Sequence, residues 1–156
     1  QGINFAQLSL WDALDCGVSI LKNDYPIEMD RALDNRYKIG IDYNEVFIDY
    51  DDTLILGKKY YNSEAVQFLC QCRNQGIKLT LLSSHDGDLP KDFKSFGLNH
   101  FFDRIFHLKK NERKSDYIDN RNAIFIDDSY AERKEILDVC HIPVFGVDII
   151  SALLKD

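Results

Sequence analysis

The sequence predicts an α/β fold: a three-layer, doubly wound parallel sheet with helices on both faces. Two observations predict it. From residue 46 onward, short apolar β-runs alternate with helical stretches at a regular pitch, and strands joined through helices pair in parallel with right-handed crossovers. Three polar clusters, Asp49/Asp51, Ser83/Ser84 and Asp127/Asp128, each close one of those runs. Carboxyl ends of strands are where such sheets bind ligands, near the topological switch point.

The elements follow in order. The apolar run Val46-Phe47-Ile48 opens a strand over 46–50. Residues 54–61 carry Gly57 and paired lysines and read as a short flap or hairpin. Asn62 or Ser63 caps a helix with Ala65, Phe68, Leu69 and Cys72 on one face at 3.6 periodicity, and Gly76 ends it. A buried strand covers 77–82, a short helix 91–96 stops at Gly97, and a third strand covers 102–107. Residues 114–119 fall on a helix. The strand 123–126 ends in Asp127-Asp128, a helix runs to about Val139, a fifth strand covers 142–145, and the last turns reach Leu154.

Residues 1–45 hold no clear βα unit. Trp11, Leu14, Ile20 and Leu21 are apolar enough to pack somewhere, and 24–34 is polar and expected to wrap the surface. The chain therefore divides into 1–45, an N-terminal extension or the tail of a preceding domain, and a core over 46–156. Gln1 is not an initiator residue, which suits a fragment of a longer chain.

Bulk properties narrow the function. The 156 residues suffice for one domain with a real core, and 45% apolar with 12% aromatic content is that of a folded globule. No apolar run approaches a membrane span and no signal-peptide pattern opens the chain, so no membrane partner is expected. The net charge of −7 disfavours nucleic acid, which needs clustered Lys and Arg. It also repels phosphorylated ligands unless a local cation reverses the field. Cys70 and Cys72 stand one residue apart and no second Cys or His pair has zinc spacing. Cys16, Cys70, Cys72 and Cys140 read as reduced, mostly buried small hydrophobes, which points to a cytoplasmic protein.

The segment Asp49-Tyr50-Asp51-Asp52-Thr53 carries the most chemistry. Side chains at i and i+2 of an extended segment point the same way. Two carboxylates on one face at a strand end repel each other unless a cation or a proton offsets them.

These residues, with those downstream, resemble the haloacid-dehalogenase-like (HAD) superfamily of phosphotransferases. Its first motif, a hydrophobic strand followed by Asp-x-Asp-x-Thr, is matched by Asp49 to Thr53. Its second, a Ser or Thr ending the next strand, is matched by Ser83 in Leu81-Leu82-Ser83-Ser84. Its third, a Lys opening a helix, is matched best by Lys114, with Lys110 the competing residue. Its fourth, a strand ending in acids, is matched by Phe125-Ile126-Asp127-Asp128. All four stand in the family's order, which is a specific signal, whereas each later motif alone is weak.

The resemblance implies a Rossmann-like core and a Mg²⁺-dependent phosphatase. Asp49 would be the nucleophile that becomes an aspartyl-phosphate, and Asp51 the acid/base that protonates the leaving group and then deprotonates water. Lys114 would neutralise nucleophile and phosphate. Ser83 would bind a phosphoryl oxygen, and Ser84 and Thr53 join it in substrate binding. Mg²⁺ would be held among Asp49, Asp51, Asp128 and Asp127, with Asp128 the direct ligand and Asp127 beside it or one layer behind. Each residue has a plainer alternative: an Asp-rich turn at 49–53, an ST-turn at Ser83, a solvated helical lysine at Lys114. Ser129-Tyr130-Ala131-Glu132 reads as a capping box rather than as a further acid of the site, and His85 as a solvated loop histidine.

Many HAD enzymes carry a cap domain after the first or second motif. Here the first interval is filled by the flap, one helix and one strand and the second by one short helix and one strand, so the chain resembles the capless type, whose site is open or covered by another subunit or domain. A second resemblance concerns the N-terminal region. Gly2 to Leu10 is similar to the closing segment of an ATP-grasp domain. Asp30-Arg31-Ala32-Leu33 and Glu132-Arg133 are similar to HAD modules fused behind such domains in carbamoyl-phosphate-synthase-like proteins. It implies a preceding ATP-grasp domain as a partner, with a homo-oligomer the other way to cover the site.

The expected function is hydrolysis of a small phosphorylated metabolite, such as a sugar phosphate. Two other classes compete. One is a non-catalytic or regulatory module that binds a phosphorylated ligand beside a fused ATP-grasp domain, which would need no nucleophile. The other is a polynucleotide phosphatase, which the acidic balance opposes.

Overall fold

A computed structural model of the chain describes residues 5–17, 25–31 and 35–155. In chain order the elements are α1 (Phe5–Ala13), β1 (Ile27–Arg31), β2 (Asn35–Ile39), β3 (Glu45–Ile48), β4 (Ile55–Leu56), β5 (Tyr60–Tyr61), α2 (Ser63–Asn74), β6 (Lys78–Ser83), α3 (Leu89–Phe96), β7 (Arg104–His107), β8 (Ala123–Ile126), α4 (Tyr130–Cys140), β9 (Val144–Phe145) and α5 (Ile150–Leu153). Single 3₁₀ turns cover Lys114–Tyr117 and Val147–Ile149.

Five strands form one parallel sheet in the order β7-β6-β3-β8-β9. The chain winds outward from β3 through β6 to β7, then returns to the other side of β3 for β8 and β9. This is the doubly wound α/β sheet expected, and its order reverses between β3 and β8.

Neighbouring residues of β3 face opposite layers. Val46 and Ile48 join Leu79, Leu81, Ile124 and Ile126 against α2, α3 and α5. Phe47 joins Leu82, Phe125 and Val144 against Ile136 and Cys140 of α4. A strand covered on both faces has no polar side, which is why Val46-Phe47-Ile48 of β3 and the whole of β8 read as unbroken apolar runs.

Local chemistry sets the element ends. Asn62 is the N-cap of α2: its Oδ1 accepts the Ala65 N–H at 3.3 Å while its Nδ2 donates to the Thr53 carbonyl at 3.0 Å. The buried face of α2 is Ala65, Phe68, Leu69 and Cys72. Gly97 closes α3 in the left-handed conformation (φ 65°). The flap at 54–61 is the hairpin β4–β5, and the Tyr61 hydroxyl donates to the Phe96 carbonyl at 2.6 Å.

Some boundaries differ from expectation. The helix expected over 114–119 is one 3₁₀ turn. The strand expected from 102 begins at Arg104, because Phe101 and Phe102 turn into the core first. The strand expected over 142–145 shortens to Val144–Phe145, since Pro143 has no N–H to give to the ladder although its carbonyl accepts from Phe125 at 3.0 Å.

The N-terminal region departs most. The polar stretch over 24–34 was expected to wrap the surface, and 26–29 are indeed exposed, but 27–31 forms an unforeseen strand, β1, paired antiparallel with β2. β2 lies along α5, and Tyr25, Ile39, Ile41 and Tyr43 pack onto the core. Trp11 and Leu14 do not pack inward: α1 has no buried residue and Leu14 is 62% exposed. Ile20 and Leu21, and the segments Gly2–Asn4 and Ala32–Leu33 of the second resemblance, lie outside the described residues. Cys72 and Cys140 are buried, but Cys16 and Cys70 are exposed, so only half of the thiols fit the expectation of buried hydrophobes. Among the described residues no helix is long and apolar enough to cross a membrane.

Candidate active site

Where the strand order reverses, the backbone leaves β3 and β8 side by side. Asp49 and Asp127 are the first residues past those two strands, so parallel pairing of Ile48 with Ile126 sets the two acids next to each other. Both are buried. Two buried neighbouring carboxylates need a cation. Lys114 supplies it, with Nζ 2.8 Å from Asp49 Oδ1 and 2.6 Å from Asp127 Oδ2.

The lysine is itself 4% exposed and opens the 3₁₀ turn after β7. Its Nζ also stands 5.8 Å from the centre of the Phe125 ring. The turn is pinned to α4 by the Ser115 hydroxyl, which donates to Glu135 at 2.5 Å. Burial pulls the Lys114 ammonium down, but Asp49 and Asp127 outweigh it and hold its pKa above the ordinary lysine value. Burial pushes the Asp49 and Asp127 carboxyls up, with Lys114 opposing the rise. Lys114, and not Lys110, is thus the lysine that meets these acids.

Asp128 faces outward beside them. Carboxylate oxygens of Asp49, Asp127 and Asp128 lie within 4.8 Å of one another. Hard, crowded oxygens of this kind suit Mg²⁺, which takes few protein ligands and keeps several waters. The three differ in what they have free. Asp127 accepts from Lys114 on one oxygen and from the Ser129 N–H at 2.7 Å on the other. Asp128 has the more open carboxylate.

Asp51 was expected in the metal set, but its carboxylate is not part of this cluster. It points to His85, whose Nδ1 stands 2.8 and 3.0 Å from its two oxygens. Thr53 was expected to touch substrate. It is instead fully buried behind the site, where its Oγ1 accepts the Asp128 N–H at 3.1 Å. Ser83, at the end of β6, and the exposed Ser84 both line the cleft with Asp49, Asp51, Lys114 and Asp128. Ser83 Oγ also accepts the His85 N–H at 3.2 Å, so the ST-turn and a place in the cleft are both realised.

Glu132 carries half of its expected capping box. Ser129 Oγ accepts the Glu132 N–H at 3.4 Å, but the Ser129 N–H turns to Asp127. The Glu132 side chain lines the cleft instead, and burial raises its pKa against the pull of Lys114. Sequence reasoning missed His85. The ring is buried rather than solvated, and its Nε2 stands 3.0 Å from Asp92 Oδ2.

The cleft is open and measures about 200 Å³. That volume suits a phosphoryl group and a few more atoms.

No family model matches the chain, and no curated protein matches it. Solved structures do match. The core domain of a candidate phosphoglycolate phosphatase from Streptococcus pneumoniae TIGR4 is 18% identical with a TM-score of 0.51, over 68% of this chain and 80% of that one. A protein from Listeria monocytogenes serotype 4b is 17% identical with a TM-score of 0.51, over 72% and 83% of the two chains. A HAD-superfamily hydrolase from Ehrlichia chaffeensis is 18% identical with a TM-score of 0.45, over 62% of this chain and 60% of that one. At these identities the first two likenesses carry the fold alone, and it is the Rossmann-like core. The third carries no argument.

Proposed function

We propose that the chain is a Mg²⁺-dependent phosphohydrolase that cleaves a small phosphorylated metabolite through an aspartyl-phosphate. The observation that supports this reading best is the buried contact of Lys114 with Asp49 and Asp127 beside the more open Asp128. A binding site for phosphate alone would gain nothing from burying a carboxylate at its centre, since the anion would be repelled.

In the proposed reaction one oxygen of Asp49 is fixed by Lys114 and the other attacks phosphorus. The bond to the leaving oxygen breaks, and Asp51 delivers a proton to that oxygen. Water then attacks the phosphorus of the acyl phosphate while Asp51 takes its proton, and the Asp49 carboxylate and phosphate are released. Splitting one displacement into two lowers each barrier. Ser83 and Ser84 hydrogen-bond phosphoryl oxygens, and Lys114 balances their charge. Asp49 and Asp128 would hold Mg²⁺ and Asp127 would hold the lysine. When bound, the ion supplies charge stabilisation to the transferring phosphoryl group.

The cleft takes the phosphoryl end, and the rest of the substrate projects outward. Among the described residues no cap covers the opening, so in this reading specificity rests on its rim or on another domain or subunit. The test is phosphate release from phosphorylated metabolites and p-nitrophenyl phosphate, with Mg²⁺ and with EDTA, set against Asp49→Asn. Turnover that needs Mg²⁺ and disappears in the variant is the expected result. A folded, Mg²⁺-binding chain inert toward every ester would instead favour the regulatory module.

A further inference from the structure

We infer that His85, braced by Asp92, is a positioning residue that fixes the carboxylate plane of Asp51 for proton transfer to poor leaving groups. This rests on the phosphatase reading above and goes beyond it in assigning the control of Asp51.

The bracing is built from every side. His85 follows β6 and its side chain is 4% exposed. One ring nitrogen sits between the two Asp51 oxygens, at 2.8 and 3.0 Å, and the other is 3.0 Å from Asp92 in the first turn of α3. Tyr50 meets the ring edge-on at a centroid distance of 5.3 Å. The His85 carbonyl accepts from His107 Nε2 at 2.7 Å, and its N–H donates to Ser83. Gly87 leaves room for the ring: a Cβ there would stand 2.9 Å from Nε2. Two carboxylates on opposite nitrogens make the imidazole a strut between α3 and the loop after β3.

That strut matters because Asp51 is half-exposed. A carboxylate free to turn presents its proton in many directions, and an acid works only when aimed at the leaving oxygen. A contact shared between both oxygens fixes the plane while leaving the outer lone pairs for substrate. The demand for such aim depends on the ester. An alkoxide must be protonated as it departs, whereas p-nitrophenolate leaves without help.

The test is rapid-quench measurement of phosphoryl transfer to Asp49 in single turnovers, with glycerol 3-phosphate and with p-nitrophenyl phosphate. The expected result for His85→Ala is a loss of about 10²-fold on the alkyl ester with KM little changed, and less than about 5-fold on the aryl ester. His85→Asn places its amide nitrogen near the position of Nδ1 and should recover most of the loss. His85→Gln places it near Nε2 and should not. Retention of the Mg²⁺-induced thermal shift shows that each variant is folded. Equal losses on both esters, or equal recovery by Asn and Gln, would overturn this assignment alone. A wild-type chain inert toward both esters overturns the phosphatase reading, and this assignment with it.

Discussion

Thr53 and Asp128 are joined by a partly buried hydrogen bond of 3.1 Å, from the backbone N–H of Asp128 to the threonine hydroxyl. The loop after β3 is thereby tied to the loop after β8, and the acids they carry hold a fixed separation. Thr53→Val keeps the shape and removes the acceptor, leaving a backbone N–H unsatisfied. It should cost about 1–3 kcal/mol in urea unfolding and weaken Mg²⁺ binding, whereas Thr53→Ser should stay near wild type. A valine variant with unchanged stability and metal affinity would remove the tie from the account.

Removing the Lys114 ammonium leaves Asp49 and Asp127 buried and unpaired. Lys114→Met should therefore lower stability by roughly 3–5 kcal/mol in EDTA. Part of that loss should return on adding Mg²⁺. Lys110→Met, outside these contacts, should shift stability by less than about 0.5 kcal/mol. Parallel chemical denaturation of the two variants reads the difference.

Mg²⁺ binding to the native state should raise Tm, by about 2.7 kcal/mol of stabilisation at a hundredfold excess over Kd. For a chain of this size that is roughly 5–10 °C. Asp128→Asn should fold normally and lose the shift, because Asp128 is the open carboxylate of the cluster. Thermal melts across a Mg²⁺ titration decide it.

At the amino end of the central strand β3, away from the cleft, Glu45 is 2% exposed and accepts from Thr80 and Arg104 at 2.7 Å and from Asn120 at 3.0 Å. Burial alone would raise its pKa, but hydrogen bonds from Asn120, Thr80 and Arg104 outweigh it and hold the value below 4.5. A carboxyl depressed in the folded state stabilises the fold above its unfolded pKa and loses that contribution as pH falls through the folded one. Glu45→Gln should therefore cost roughly 2–3 kcal/mol at pH 7, and the gap to wild type should narrow steadily below pH ~4.5. A gap that stays constant from neutral to acid pH would show that the charge contributes nothing.

His141 ends α4 at φ 55°, a left-handed conformation that costs a side chain energy and glycine almost none. The ring is exposed. His141→Gly should therefore raise stability by up to about 1 kcal/mol, seen as a higher urea midpoint at unchanged m-value.

How much of this could be read in advance depended on sequence distance. The sheet was legible because each strand announces itself locally: Val46-Phe47-Ile48 and Ala123-Ile124-Phe125-Ile126 are apolar on both faces. That Asp49 and Asp127 close neighbouring strands followed from the winding. His85 was not legible. Its partners are Asp51, far back in the sequence, and Asp92, one helical turn into α3, and no local pattern announces a contact of that kind. Thr53 was expected at the substrate on the strength of the family resemblance, yet the turn at Asp52 (φ 50°) carries it inward. The β1–β2 hairpin did carry a signal, the alternation of Ile27 and Met29 with charged residues, but both are largely exposed and the pattern resembles a solvated loop.

The two-layer alternation along β3 has a consequence for how this chain can change over time. Phe47 serves one layer while Val46 and Ile48 serve the other. Swapping one aliphatic side chain for another disturbs a single contact. Dropping or adding one residue would send all three to the wrong layer and rotate Asp49 away from Lys114. The strand acts as a ruler, so variants of this region should differ freely in spelling and hardly ever in length.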